Sequence, residues 1–170
     1  MYKRQGQLLS TGAVTIKENH VDMGIDYGVP ASAKVTLTDW SAPDADIMGD
    51  IQKMVAVAEG NGYVVNKAVT SLKMINYMRN NTAMQTAVLG AANKRLLTKQ
   101  ELANLLMQEY EITIDRCDEN FNFRKADGTL KTARYLKEDV FTLYAADANG
   151  SFGVGLWGVT PEELLSLIHI

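Results

Sequence analysis

Residues 153–158 read GVGLWG and therefore match the G-x-G-x-x-G spacing of a dinucleotide-binding loop. In such a loop the third glycine lies in the first turn of a helix whose N-terminus binds the pyrophosphate. Here Val159, Thr160 and Pro161 follow at once, and Thr160 with Pro161 is typical of a fresh helix start. We therefore interpret this segment as a loop and predict no nucleotide cofactor.

Three acidic residues, one cysteine and one histidine are also of types that can take part in catalysis or metal binding. Asp46 and Asp50 are four residues apart and would share a helical face, with Asp44 just before them. No histidine is near them in the sequence, and acidic residues are favoured at a helix N-terminus, so we interpret them as helix-start residues. Cys117 and His20 have no evident catalytic partners in the sequence. We therefore predict no enzyme activity, no cofactor and no metal site.

The composition is that of a globular domain. Of 170 residues, 46% are hydrophobic and 22% are charged, and the formal net charge is −3. An acidic chain with scattered Lys and Arg lacks the electrostatic footprint of a nucleic-acid-binding protein. One cysteine precludes an internal disulfide, which fits a reducing compartment. No apolar run reaches the roughly 20 residues of a membrane span.

Two alternating stretches predict a β-hairpin near the start of the chain. Val14 and Ile16 alternate with polar residues, and Val21, Met23, Ile25 and Tyr27 do the same after a polar turn. A hairpin of two strands is marginally stable alone in water. We expect this hairpin to pack on its own domain or on a neighbouring chain.

Helices and strands are predicted along the rest of the chain. Alternation predicts a strand over residues 33–39. A helix is predicted over residues 43–59, with Ser41 as N-cap and Asp44 at the capping-box position. Its apolar stripe comprises Ile47, Ile51, Met54, Val55 and Ala58. Further helices are predicted over 72–80, from Thr82 as N-cap to Gly90, and from the capping box at 98–101; strands are predicted over 64–71, 111–117, 121–136 with a turn at 127–128, and 140–144. This order predicts an α+β fold with strands and helices in separate blocks.

The two chain ends share an unusual relationship. One choice of codons for residues 165–170 is the reverse complement of codons that encode residues 1–5 from a GTG start. Both strings also match a transposon end used to tag DNA for sequencing. We expect both segments to be adapter-encoded, which leaves residues 6–164 for fold reasoning. Reading the actual codons tests this expectation.

Several blocks, in order, resemble the major capsid protein E family of tailed phages. The resemblance runs from about Leu8 to Glu163 and departs at Lys137, where we expect proline in the family. The blocks are LLSTGAVTIKENHVDMGIDYGVP, LTDWSAPDADIMGDIQ, KAVTSLKMINYMRNN and RYLKEDVFTLY, with GVTPEE after them.

The resemblance implies the tailed-phage major capsid fold, incomplete at both ends. Residues 6–32 would form the extension-loop hairpin that reaches onto the next subunit. Residues 33–66 would belong to the peripheral domain with its long spine helix, and residues 67–164 to the axial domain. An N-terminal arm and C-terminal return strands would be missing from this chain.

The resemblance also implies a structural function. Many copies would form hexamers and pentamers of an icosahedral shell that encloses double-stranded DNA without sequence-specific binding. Scaffold, decoration and portal proteins are candidate partners, and no membrane is involved. The location would be the virion capsid, and the bacterial host cytoplasm during assembly. The hairpin residues expected to contact the neighbouring subunit are Lys17, Glu18, Asn19, His20, Asp22 and Asp26.

Two alternative functions remain open at this point. One is an encapsulin-like bacterial compartment of the same fold, which neighbouring portal or protease genes would argue against. The other is a small α+β ligand-binding or enzyme domain, which predicts a stable monomer with a pocket.

Overall fold

The structure is a computed structural model that describes residues 2–18, 21–36, 38–93, 95–124 and 128–146. The predicted loop at 153–158, the helix start at Thr160 and the tail at 165–170 lie outside these residues. Asn19, His20 and Asp127 also lie outside them. Within the described part, no helix has the length and apolar character needed to cross a membrane.

The N-terminal unit is a helix followed by a hairpin. Helix α1 spans Tyr2–Thr11, strand β1 spans Ala13–Glu18 and strand β2 spans Val21–Asp26, with the two strands antiparallel. The predicted hairpin is confirmed, but residues 6–11, which were expected to belong to the extension loop, are helical. Gly12 has φ 72° and ends α1, because its N–H donates to Leu8 O at 2.8 Å while its carbonyl accepts from Tyr27 N–H.

The prediction of a strand over residues 33–39 is wrong for the residues of this range that the structure describes. A short 3-10 turn spans Ala31–Ala33, and the following described residues form no strand. The physical reason is the partner of Thr38, whose N–H and hydroxyl both donate to the Asp50 carboxylate. The Asp50 side chain therefore accepts the backbone hydrogen bond that a neighbouring strand would otherwise accept.

Helix α2 spans Ile47–Gly60 and starts four residues later than predicted. Its N-cap is Asp46, whose side chain accepts from Gly49 N–H at 3.0 Å, so Ser41 and Asp44 do not have the predicted capping roles. The backbone just before it is bonded elsewhere: Pro43 O accepts from Thr82 N–H, and the Asn81 amide donates to Pro43 O and Ala45 O.

Strand β3 and three helices follow, largely as predicted. Strand β3 spans Lys67–Thr70, α3 spans Leu72–Asn80, α4 spans Thr82–Leu89 and α5 spans Lys99–Tyr110. Ser71 caps α3, and Thr98 with Glu101 forms the predicted capping box of α5. The predicted cap at Thr82 is wrong, because the buried Asn81 side chain accepts from Met84 N–H instead.

The described strands form a three-stranded sheet and two separate hairpins. Strand β4 spans Thr113–Arg116, β5 Asn120–Arg124, β6 Leu130–Arg134 and β7 Phe141–Tyr144. The sheet order is β4-β3-β7, with β3 parallel to β4 and antiparallel to β7, while β5 pairs only with β6. The α+β prediction is confirmed, but the separate blocks are not, because α3, α4 and α5 lie between the paired strands β3 and β4.

One hydrophobic core joins the four helices α2–α5 to this sheet. Ile47 and Ile51 of the predicted α2 stripe are fully buried, and the other stripe residues pack against the core. Three methionines predicted to be core residues are buried, namely Met74, Met78 and Met84. Trp40 is buried against Phe141, with ring centroids 5.3 Å apart, which brings the irregular segment before α2 into the same core.

Candidate subunit interface

The hairpin of β1 and β2 has one apolar face, which becomes more exposed toward its turn. In the observed register Val14 lies opposite Ile25 and Ile16 lies opposite Met23. At the base of the hairpin Val14 is only 4% exposed, whereas Met23, near the turn, is 46% exposed. The base therefore packs on the rest of the chain, while the outer half leaves its apolar face uncovered within the described part of the structure.

The opposite face of the hairpin carries two of the predicted contact residues, Asp22 and Asp26. Asp22 and Asp26 are exposed on strand β2, and Asp22 lies opposite Lys17 in the strand register. The carboxylate of Asp26 accepts from Gly28 N–H at 2.9 Å, which shapes the exit of the hairpin. The side chains of Lys17 and Glu18 are not among those described, and Asn19 and His20 lie outside the described residues.

Helix α1 fastens the hairpin to the body of the molecule. Gly6 lies so close to Tyr135 that a Cβ atom at this position would clash with the Tyr135 carbonyl. One turn later Leu9 O accepts from the Thr142 hydroxyl at 2.6 Å, and Ser10 Oγ accepts from Lys137 N–H at 3.4 Å. Because these contacts lie along one side of α1, they set the direction in which the hairpin projects.

An open groove of about 810 Å³ lies beside this helix. Its walls come from α1, residues 33–36 and 38–41, α2, α3 and β7, and they are mostly apolar. Two of the charged groups in its lining pair with each other, since Lys73 Nζ lies 2.7 Å from Asp139 Oδ1. An open groove with mostly apolar walls is a candidate packing surface.

Asp50 is a buried carboxylate whose role the sequence interpretation missed. One of its oxygens accepts from Thr38 N–H at 3.0 Å, the Thr38 hydroxyl at 2.7 Å and Trp40 Nε1–H at 3.0 Å. Burial raises the pKa of Asp50, but these hydrogen bonds and Lys53 outweigh that effect and hold the pKa below its usual value. The signal in the sequence was an aspartate within the apolar stripe between Ile47 and Ile51.

The three aspartates considered as a metal site are thus divided among different roles. Asp50 ties the preceding segment to α2, Asp46 caps that helix, and Asp44 is exposed. Among the residues that the structure describes, no cluster of three His, Cys, Asp or Glu side chains is arranged to hold a metal ion.

Cys117 and its neighbour Asp118 lie where β4 meets α3. Cys117 is a half-buried free thiol, and its N–H donates to Thr70 O at 2.8 Å, which extends the sheet ladder. Asp118 accepts from Leu72 N–H at the start of α3 and from both Arg116 and Arg134. Burial raises the pKa of Asp118, but these three donors more than compensate and lower it. The residue thereby joins α3, β4 and the β5–β6 hairpin, which no local pattern in the sequence indicated.

The overall arrangement is similar to that of a viral shell protein. A solved structure, "Crystal structure of the putative capsid protein of prophage (E.coli CFT073)", superposes with a TM-score of 0.50 and 15% sequence identity. The match covers 85% of this chain and 43% of that one, so this chain spans less than half the length of the solved protein. The shared feature is a mixed α+β fold.

A comparison of the sequence with protein-family models shows the family of this chain. The model of the phage major capsid protein E family matches residues 4–156, which is most of the chain. The chain belongs to this family, whose members are structural capsid proteins rather than enzymes. A comparison with curated proteins finds no match.

Proposed function

We propose that this chain is part of a major capsid subunit that assembles with copies of itself into the icosahedral shell of a tailed phage or prophage. The observation that carries the proposal is the family match over residues 4–156. The shell would enclose double-stranded DNA without reading its sequence.

The β1–β2 hairpin is the proposed contact with a neighbouring subunit. Two features support this role: the hairpin pairs with no third strand in the described structure, and its apolar face is exposed at Met23. An isolated pair of strands is marginal in water, so a partner that covers this face would stabilise it. Lys17, Glu18, Asn19, His20, Asp22 and Asp26 would then supply polar contacts around that apolar centre.

The finer division into capsid domains remains a prediction. Residues 6–32 are proposed as the extension loop, 33–66 as part of the peripheral domain and 67–164 as part of the axial domain. The later start of α2 makes the proposed spine helix 14 residues long. Side chains from the second and third ranges, such as Ile47 and Ala68, belong to one core, so any boundary between these ranges divides a single packed body.

The proposed partners are other copies of the subunit in hexamers and pentamers, together with scaffold, decoration and portal proteins. Assembly would take place in the bacterial cytoplasm before the shell becomes part of the virion. Family membership favours this function over an encapsulin-like compartment and over a small enzyme domain.

A charge exchange within the hairpin tests its role as an interface. Lys17 and Asp22 face each other in the register, so the double variant Lys17→Glu/Asp22→Lys keeps opposite charges across the strands. It reverses the charge pattern presented to a partner. In the complete capsid protein we expect particle yield on a sucrose gradient to fall about tenfold, with an unchanged circular dichroism spectrum.

The matched control is Asp44→Lys/Lys99→Glu, because both residues are exposed and lie outside the hairpin. This control is expected to assemble normally. Particle yield equal to wild type from the hairpin variant would count against the hairpin as a subunit contact.

A further inference from the structure

The C-terminal turn of α5 departs from the usual chemistry of a helix end. Carbonyl groups give a helix C-terminus a partial negative charge, which favours Lys, Arg or His there. Helix α5 has no basic residue in its last turn, and Glu109 and Glu111 lie at this end instead. Glu111 also has a left-handed backbone, with φ 56° and ψ 29°, where glycine or asparagine is usual.

This acidic end lies beside an exposed apolar side chain. Met107 is 51% exposed, and Glu111 is one helical turn further along, with its N–H donating to Met107 O. Within the described part of the chain, neither Glu109 nor Glu111 forms an ion pair with a Lys or Arg. The surface is therefore an apolar side chain next to uncompensated negative charge. Local rules that are broken without a compensating contact in the same chain point to a functional surface.

The β5–β6 hairpin has a surface of the opposite kind. On one face Phe121 lies opposite Ala133 and Phe123 lies opposite Lys131. The Phe121 ring lies between those of Phe123 and Tyr135, at centroid distances of 5.9 Å and 4.9 Å, and Phe123 is 40% exposed. Lys131 is exposed and forms no ion pair with another described residue. This face is therefore an aromatic stripe next to uncompensated positive charge.

We propose that these two surfaces are the two halves of one contact between copies of this chain. Phe123 and Lys131 of one copy dock on Met107 and Glu111 of a second copy, with Glu109 beside them. The proposal rests on the proposed self-assembly and names a second contact, separate from the β1–β2 hairpin.

Three physical arguments support the pairing. A lysine from the partner supplies the cation that the C-terminus of α5 lacks. The two exposed apolar side chains are removed from water together, which stabilises the contact. The two surfaces differ, so the contact is head-to-tail, and each copy keeps its other surface free for a further copy. Such contacts close into rings when the rotation allows. A ring is the form that a capsomer requires.

The experiment uses charge reversal in the complete capsid protein, with capsomers and shells measured by sedimentation and negative-stain microscopy. Like charges placed across an interface oppose association, so Lys131→Glu and Glu111→Lys are each expected to lower assembly about tenfold or more. The double variant Lys131→Glu/Glu111→Lys restores opposite charges at every contact and is expected to assemble within about twofold of wild type.

The matched control is Arg124→Glu. Arg124 is exposed on the same hairpin, but it lies on the opposite face from Phe123 and Lys131. The charge change is the same as in Lys131→Glu, so a general effect of charge would affect both variants equally. We expect Arg124→Glu to assemble like wild type, and we expect all variants to retain the wild-type circular dichroism spectrum.

The outcomes separate this inference from the proposed function. If the wild type and Lys131→Glu both form shells, only the inference is overturned. An equal loss in Arg124→Glu and Lys131→Glu, or a folded double variant that does not regain assembly, would also overturn it. Wild type that forms no particle under any condition would contradict both self-assembly and this contact.

Discussion

At the scale of single residues, carboxylates hold separate backbone segments in place. Asp50 accepts from Thr38 N–H, and Asp118 accepts from Leu72 N–H. Glu101 accepts from Thr98 N–H at 2.8 Å and pairs with both terminal nitrogens of Arg95, which ties the loop before α5 to that helix. An ionised carboxylate is a stronger acceptor than a neutral carbonyl, so these contacts depend on the charge.

Glu101 is predicted to contribute a measurable pH dependence to stability. The hydrogen bond from Arg95, and then that from Thr98 N–H, lower the pKa of Glu101 from 4.5 to about 2. Because the folded-state pKa is depressed, the stabilisation is fully present above about pH 4.5 and is lost as the pH falls toward 2. In urea unfolding of this chain, Glu101→Gln is expected to be less stable than wild type at pH 7.

The difference between Glu101→Gln and wild type is expected to shrink as the pH falls from about 4.5 to 2. Glu59→Gln is the matched control, because Glu59 is exposed at the end of α2 and has no ion pair with another described residue. A constant difference across that pH range would contradict the role assigned to Glu101.

At the scale of elements, long-range polar contacts decide where α2 begins and what precedes it. Asp50→Ala leaves the Trp40 N–H and the Thr38 donors without their acceptor inside the fold. Hydrogen bonds to a charged group contribute about 1.5–3 kcal/mol, so we expect a loss of roughly 3 kcal/mol in urea unfolding. The same substitution at exposed Asp44, the residue predicted to be a capping-box residue, is expected to change stability by less than about 0.5 kcal/mol. Equal effects at the two positions would show that Asp50 is not the anchor.

The same contacts explain which elements were predictable from sequence. Helix α5 follows from its capping box and Leu stripe, and α3 follows from Ser71, because the signals lie within the element. Residues 33–39 alternate like a strand, but Thr38 bonds to a carboxylate 12 residues later. Helix α2 starts at Ile47 because Asn81, far away in sequence, binds the backbone before it. Alternation and spacing contain no information about such partners.

At the scale of the whole molecule, the two hairpins are the parts that extend beyond the shared core. The sequence predicted the β1–β2 hairpin from period-two alternation, but not which half of its apolar face the fold leaves exposed. It did not predict α1 or its docking on Tyr135, Lys137 and Thr142, because those contacts span more than 120 residues. The acidic end of α5 was also missed, since its meaning depends on which charges the fold brings near it.

The most direct test of the central claim is negative-stain electron microscopy of the complete capsid protein. Copies of a capsid subunit are expected to form closed shells or capsomers, alone or with neighbouring phage genes co-expressed. A well-folded monomer that forms no particle under either condition would contradict the account.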